Sequence, residues 1–256
     1  AVTTRLAGVG TQSLAASFGG KDGPGSAINT INEWNGTSWA TNPNNYPASH
    51  YSMAAAGTAT AAIITGGDPA ETLVNTFNGT SFTEGTVLNT GRRGHMAAGT
   101  TTAAIVAGGE TPATANTEIW NGTTWTETAN LSQVTQDLSG WGTSTDAMSA
   151  MGYGGSPAGN VAEAQYWDGF TWTAMDDCAT ARNSTQIGGI GASSEAGLVT
   201  GGGAPSYSQA TEEWTAPATF TQFSLGQVYY NSDASSGALK VVGQGTGAWA
   251  TGGTVT

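Results

Sequence analysis

Only 9% of the 256 residues are charged, six basic against eighteen acidic, for a net charge of −12. The cations (Arg5, Lys21, Arg92, Arg93, Arg182, Lys240) are scattered apart from one Arg-Arg step. No basic stripe is present to neutralise phosphates, which argues against nucleic acid or an anionic membrane surface as partner. The single cysteine, Cys178, excludes an intrachain disulfide, a thiolate zinc site and an iron–sulfur cluster. No segment approaches the ~18 unbroken apolar residues of a membrane-spanning helix.

Taken in chain order, the sequence repeats one pattern five times. The first unit covers about residues 5–41: Leu6–Gly10 reads as an innermost strand, a small-residue run ends at Gly19-Gly20, and Trp34-Asn35-Gly36 leads to Trp39. The second, about 50–84, has Met53–Gly57, Gly66-Gly67, Phe77-Asn78-Gly79 and Phe82. The third, about 92–127, is the most regular. After Met96–Gly99, the apolar run Ala103–Ala107 ends at Gly108-Gly109 and reads as a buried strand. Asn116–Trp120 alternates polar and apolar, as a half-buried strand does, and Thr123–Glu127 carries Trp125. Between them Asn121-Gly122 signals a hairpin, because both residues accept the positive φ of a type I′ turn. The fourth unit, about 137–174, has Ser139–Gly142, Gly154-Gly155, Trp167-Asp168-Gly169 and Trp172. The fifth, about 183–223, has Gln186–Gly191, Gly201-Gly202, Trp214 and a degenerate partner Phe220.

The Gly-Gly pairs are spaced by 47, 42, 46 and 47 residues. A β-rich period in the forties, punctuated by glycine, predicts an all-β, five-bladed β-propeller of four-stranded blades. The Gly-Gly pairs are expected where a second strand leaves the crowd between blades, and the aromatic pairs where rings pack against a neighbouring blade. A plain hairpin over about 224–246 reads as an insertion in the last blade, and 247–251, with Trp249, as that blade's returning outer strand. The chain is thus expected to form a single propeller domain over 1–256. A ring of five closed where the termini meet and a segment of a longer array cut at a blade boundary are the two readings of its ends. The absent initiator methionine fits processing, or a piece of something longer.

A buried strand ending in Gly-Gly, then an aromatic strand and a closing Trp, resembles the kelch repeat over roughly residues 5–223. Kelch-type rings usually have six or seven blades, so five is a departure. The hairpin Leu225–Asn231 with Ala238–Val242 resembles one that recurs in bacteriophage tail-fibre and other virion proteins. The Trp-Asn-Gly-Thr-Ser-Trp hairpins are also similar to repeats in phage structural proteins. The resemblance implies a non-enzymatic structural or host-adhesion module on a virion surface or in an extracellular setting. Its partners would be other virion proteins or cell-surface glycans.

No catalytic constellation stands out, and no cofactor or metal is expected. The innermost strands hold no acid or histidine, whereas a glycosidase propeller needs paired carboxylates facing its channel. Glu33, Glu118 and Glu213 lie beside the blade aromatics, and Asp22, Asp68 and Glu110 follow Gly-Gly without calcium-loop spacing. His50, His95, Arg5, Arg92, Arg93 and Arg182 sit near the starts of innermost strands, where tying the chain to neighbouring carbonyls is the expected role. Asn-Gly-Thr at 35, 78 and 121 matches a glycosylation acceptor, but turn chemistry explains it. The alternative to a structural module is a carbohydrate-binding propeller lectin, with Trp141, Tyr153, Tyr46 and Tyr207 as the candidate exposed rings.

Overall fold

The structure, a computed structural model, describes residues 3–68, 72–110, 112–155, 157–183, 188–203 and 208–216, and the backbone of three later strands. It is all-β, with no helix among the described residues. Blade 1 contains β1 (Ala7–Gly10), β2 (Ala15–Lys21), β3 (Ala27–Trp34) and β4 (Trp39–Thr41). Blade 2 contains β5 (Ala54–Thr58), β6 (Ala61–Thr65), β7 (Val74–Phe77) and β8 (Phe82–Glu84). Blade 3 contains β9 (Met96–Gly99), β10 (Ala104–Ala107), β11 (Thr117–Trp120) and β12 (Trp125–Thr128). Blade 4 adds a short β13 (Thr135–Gln136) to β14 (Ser139–Thr143), β15 (Asp146–Gly154), β16 (Gly159–Trp167) and β17 (Trp172–Ala174). Blade 5 contains β18 (Gly188–Ser193), β19 (Ala196–Thr200) and β20 (Thr211–Thr215), then the separate hairpin β21 (Val228–Asn231) and β22 (Ala238–Val241), and finally β23 (Ala248–Thr251). Strands pair antiparallel, and β23 returns to β20 so that Trp214 opposes Trp249 as Trp120 opposes Trp125. The innermost strands pack in the order β1, β5, β9, β14, β18, which makes a five-bladed propeller with an inserted hairpin.

The aromatic pairs sit where the sequence places them, but the turn between them is not type I′. The paired aromatics bracket four residues, and Asn35, Asn78, Asn121 and Asp168 keep negative φ, only the following glycine being positive. The Asn or Asp side chain instead accepts two amide N–H groups, as Asn121 Oδ1 does from Thr123 and Thr124 at 2.9 Å each. An Asx turn therefore selects this residue, and Asp168 does the same for Phe170 and Thr171.

The Gly-Gly pairs mark a bulge in the second strand. Gly19 and Gly20 (φ 57° and 107°), Gly66 and Gly67 (62° and 120°), and Gly108 and Gly109 (69° and 108°) share one conformation. The second amide donates to the next blade: Gly20 to His50 O, Gly67 to Arg92 O, and Gly109 to Thr135 O. In blade 4 the bulge is not Gly154-Gly155. It is Met151-Gly152 (φ 60° and 127°), with Gly152 donating to Arg182 O at 2.9 Å. Gly154 lies in the continued strand opposite Thr135 and Gly159. Gly201 and Gly202 of blade 5 have the bulge conformation, φ 77° and 91°.

In blades 2, 3 and 4 the aromatic pair faces the preceding blade. Phe77 and Phe82 pack on Phe18 of blade 1, Trp120 and Trp125 on Ile63, Val74 and Leu88 of blade 2, and Trp167 on Ile105 and Leu131 of blade 3. The loops leaving blades 1 to 4 each drop one side chain into the same slot: Tyr46, Leu88, Leu131 and Cys178, all buried. Their amides donate to Asn29, Thr72, Ala115 and Ala162 respectively, so the four positions are one repeated anchor. Burying apolar side chains of this size contributes about 1.5–3 kcal/mol each. Trp34 and Trp39 depart from the pattern, with Trp34 half-buried and Trp39 56% exposed.

Candidate functional site

Where each chain segment enters an innermost strand, one residue bridges to the residue just past the bulge. The pairs are Thr4 with Lys21, Tyr51 with Asp68, Arg93 with Glu110, Gln136 with Tyr153, and Asn183 with Gly203. Just inside them, Arg5, Ser52, Gly94 and Asp137 all hold left-handed φ, from 52° to 60°. Their backbones hydrogen-bond head to tail: Ser52 N–H to Arg5 O, Gly94 N–H to Ser52 O, and Asp137 N–H to Gly94 O at 2.6 Å. This chain of bonds fixes a rim around the propeller axis at one end of the blades.

The rim's side chains connect across blades. Lys21 Nζ lies 3.9 Å from the Tyr51 ring centroid, and the Arg5 guanidinium 5.8 Å from it. Arg93 forms ion pairs with Asp68 of blade 2 and Glu110 of its own blade. Both carboxylates are thereby neutralised by one cation, and Asp22 caps its own loop by accepting from Ser26 N–H. Among the described residues no three His, Cys, Asp or Glu side chains gather as a metal set. A crevice among the described residues, between Thr135, Ser149 and Gln165, is too tight for a water.

Asp137 is the rim's unusual acid. Burial, and after it the neighbouring Glu110, push its carboxyl up to about 6 against the opposing pull of Arg5 and Arg93. A folded pKa above the unfolded value means the native state binds this proton more tightly. Its contribution therefore falls as pH rises from about 4 to about 6, and stays low above that. With about 1.4 kcal/mol per unit and partial solvent screening, Asp137→Asn is expected to raise stability at pH 7 by about 1–2 kcal/mol. Asparagine tolerates the left-handed φ. Denaturant melts at several pH values check this: the gain should vanish below about pH 4.

The other sequence-marked groups are structural. Arg92 and Arg182 are fully buried, each bonded to a carboxylate and to carbonyls: Arg92 to Glu118, Thr90 O, Gly108 O and Asn116 O, and Arg182 to Glu212, Gly201 O and Ala210 O. His95 is buried against Thr65 Oγ1 at 2.8 Å, and burial holds its pKa well below the usual value, so it is neutral at pH 7. Burial likewise pushes the Cys178 thiol up, which keeps it from being a ready nucleophile.

Of the four candidate rings, two are corrected. Tyr46 is 1% exposed because it fills the slot that Leu88 and Leu131 fill elsewhere, and Asn75 Nδ2 donates to its hydroxyl. Trp141 is 2% exposed on innermost strand β14, lying against Gly191 and Gly197 of blade 5, where a Cβ would collide with its indole. Tyr207 lies outside the described residues, as does Phe220. Among the described candidates Tyr153 alone presents its ring to solvent, 38% exposed, with Gln136 and Asn160 as its cross-strand neighbours. What sequence reasoning missed is the rim itself, whose signal is the residue following each bulge.

No protein-family model matches the chain, and no curated protein matches it. Among solved structures, that titled "Structure of YjhT" is similar, with a TM-score of 0.69 at 12% identity, over 85% of this chain and 82% of that one. A likeness at this identity shows the fold, a β-propeller, and nothing of the activity.

Proposed function

We propose that the protein is a non-enzymatic binding or structural module that displays the rim of its propeller, on a virion surface or in an extracellular setting. The observation that carries this reading is a contrast between positions. Junction positions recur from blade to blade, while the rim pairs differ in every blade: Thr4/Lys21, Tyr51/Asp68, Arg93/Glu110, Gln136/Tyr153 and Asn183/Gly203. A uniform scaffold with varied display residues suits recognition. Acid–base catalysis needs a free pair of groups at a tuned pKa, and the rim's Asp68 and Glu110 are spent on Arg93. The resemblance of the blades and the inserted hairpin to phage structural proteins favours the virion setting, and the low charge is compatible with it.

One observation favours a lectin reading: exposed Tyr153 flanked by Gln136 and Asn160, an aromatic platform beside amide groups of the kind that bind sugars. A glycan array on wild type and Tyr153→Ala separates the two. Silence on the array, with co-purification with particle proteins, is the expected result for a structural module. Binding competed by free monosaccharide and lost in Tyr153→Ala makes the protein a lectin. Hydrolysis of a glycan that depends on one carboxylate overturns both.

A further inference from the structure

Every junction between consecutive blades is built from the same parts, and one complete set of those parts is unused. At each junction the residue two before the third-strand aromatic hydrogen-bonds to the preceding blade's outgoing loop, Asn75 as donor and the other three as acceptors. Asn75 meets Tyr46, Glu118 takes the amides of Asn89 and Thr90, Gln165 that of Ser132, and Glu212 that of Ala179. In blades 3 and 4 the second aromatic is tryptophan and donates backwards: Trp125 Nε1 to Thr86 O at 3.1 Å, and Trp172 Nε1 to Thr117 Oγ1 at 2.9 Å. Met53, His95 and Leu138, each three residues past the incoming carbonyl, seat on the preceding bulge at 5–7% exposure.

Blade 1 carries the same three devices with nothing on them among the described residues. Among the described residues the Asn32 side chain is bonded only within its own blade, accepting from Thr41 Oγ1 at 3.1 Å. Trp39 is 56% exposed and Leu6, the counterpart of Met53, 41%. Trp34 is already held in the shape of a finished junction, its Nε1 donating to Gln12 O as Trp120 Nε1 does to Thr101 O. Blade 5 shows the matching vacancy on its opposite face. Leu198 and Thr200 are only half-buried, whereas their counterparts Ile63, Thr65, Ile105, Ala107, Met148 and Ala150 are at 0–1% exposure. The bulge amides of Gly20, Gly67, Gly109 and Gly152 each reach a next-blade carbonyl; among the described residues that of Gly202 reaches none. Nor, among those residues, does any hydrogen bond or ion pair join blade 5 to blade 1.

We propose that these two faces form an interface between copies of this chain, the Trp39 face of blade 1 on one copy receiving the Leu198 face of blade 5 on another. What covers an aromatic leading face is known from the other junctions: an aliphatic trailing face with an outgoing loop. A second copy supplies that face. The contact is head-to-tail, using different patches on the two copies.

Sedimentation velocity over roughly a hundredfold range of protein concentration tests it. Wild type should gain mass with concentration, while Trp39→Lys and Leu198→Lys each lose the association by at least about tenfold. Mixing the two variants should restore a heterodimer, because each retains one intact face. A wild type that stays monomeric throughout, with Trp39→Ala lowering its melting midpoint as far as Trp125→Ala does, would mean that blade 5 covers Trp39 within one chain and would overturn the proposal. Association unchanged in Trp39→Lys, or no recovery on mixing, would overturn it as well.

Discussion

Trp125→Ala should destabilise the protein by about 3–5 kcal/mol, whereas Trp39→Ala, at the same position of the repeat, should cost less than about 1 kcal/mol in dilute solution. The two residues face the same way across the same hairpin. Trp125 is 6% exposed in the cluster of Ile63, Val74, Leu88 and Trp120, and its indole donates to Thr86 O. Removing it leaves a cavity that Trp120, pinned by its bond to Thr101 O, has little freedom to fill. Trp39 is mostly in water and leaves none. Any ligand affinity of folded Trp125→Ala should match wild type, since the residue is nowhere near the rim pairs. Were Trp125 a sugar platform, affinity would be lost and the melting midpoint would hold nearly constant. Chemical melts of the two variants side by side, at low concentration, give the comparison.

The architecture was legible because two of its devices are written as residue identities. A left-handed bulge asks for glycine, and a tight outer hairpin asks for Asn or Asp before glycine. Where identity and geometry part, the sequence misleads. Met151 takes the left-handed position in blade 4, so the sequence offers the visible pair Gly154-Gly155 in its place. A second ruler was present: a glycine stands nine residues before the first bulge residue in Gly10/Gly19, Gly57/Gly66, Gly99/Gly108 and Gly142/Met151. Tyr46 looked like a surface ring because it stands alone in a loop. Counted four residues back from His50, it falls in step with Leu88 before Arg92, Leu131 before Thr135 and Cys178 before Arg182. The rim was harder to see, since its defining property is that the residues there differ. The exposure of Trp39 could not be read at all, because the sequence of blade 1 matches that of a covered blade.

The other large effect is expected at Arg92, and the protein supplies its own control. Blades 3 and 5 close their starts with a buried Arg–Glu pair, Arg92–Glu118 at 2.6 Å and Arg182–Glu212 at 2.5 Å. Blades 2 and 4 hold no Arg–Glu pair at the same two places, which are His50 with Asn75 and Thr135 with Gln165. Arg92→Ala leaves Glu118, 1% exposed, with a buried charge faced only by the amides of Asn89 and Thr90. It also strips a donor from Gly108 O and Asn116 O. Breaking a buried pair in this way costs about 3–5 kcal/mol. Adding Glu118→Gln to Arg92→Thr reproduces the Thr135–Gln165 arrangement, in which Gln165 Oε1 accepts the loop amide of Ser132 at 3.0 Å. The double variant should therefore be more stable than Arg92→Thr alone by about 1–3 kcal/mol, a coupling that a double-mutant cycle reads directly. If the two substitutions instead add independently, the pair contributes no mutual interaction, and the charge alternation between blades has no energetic role.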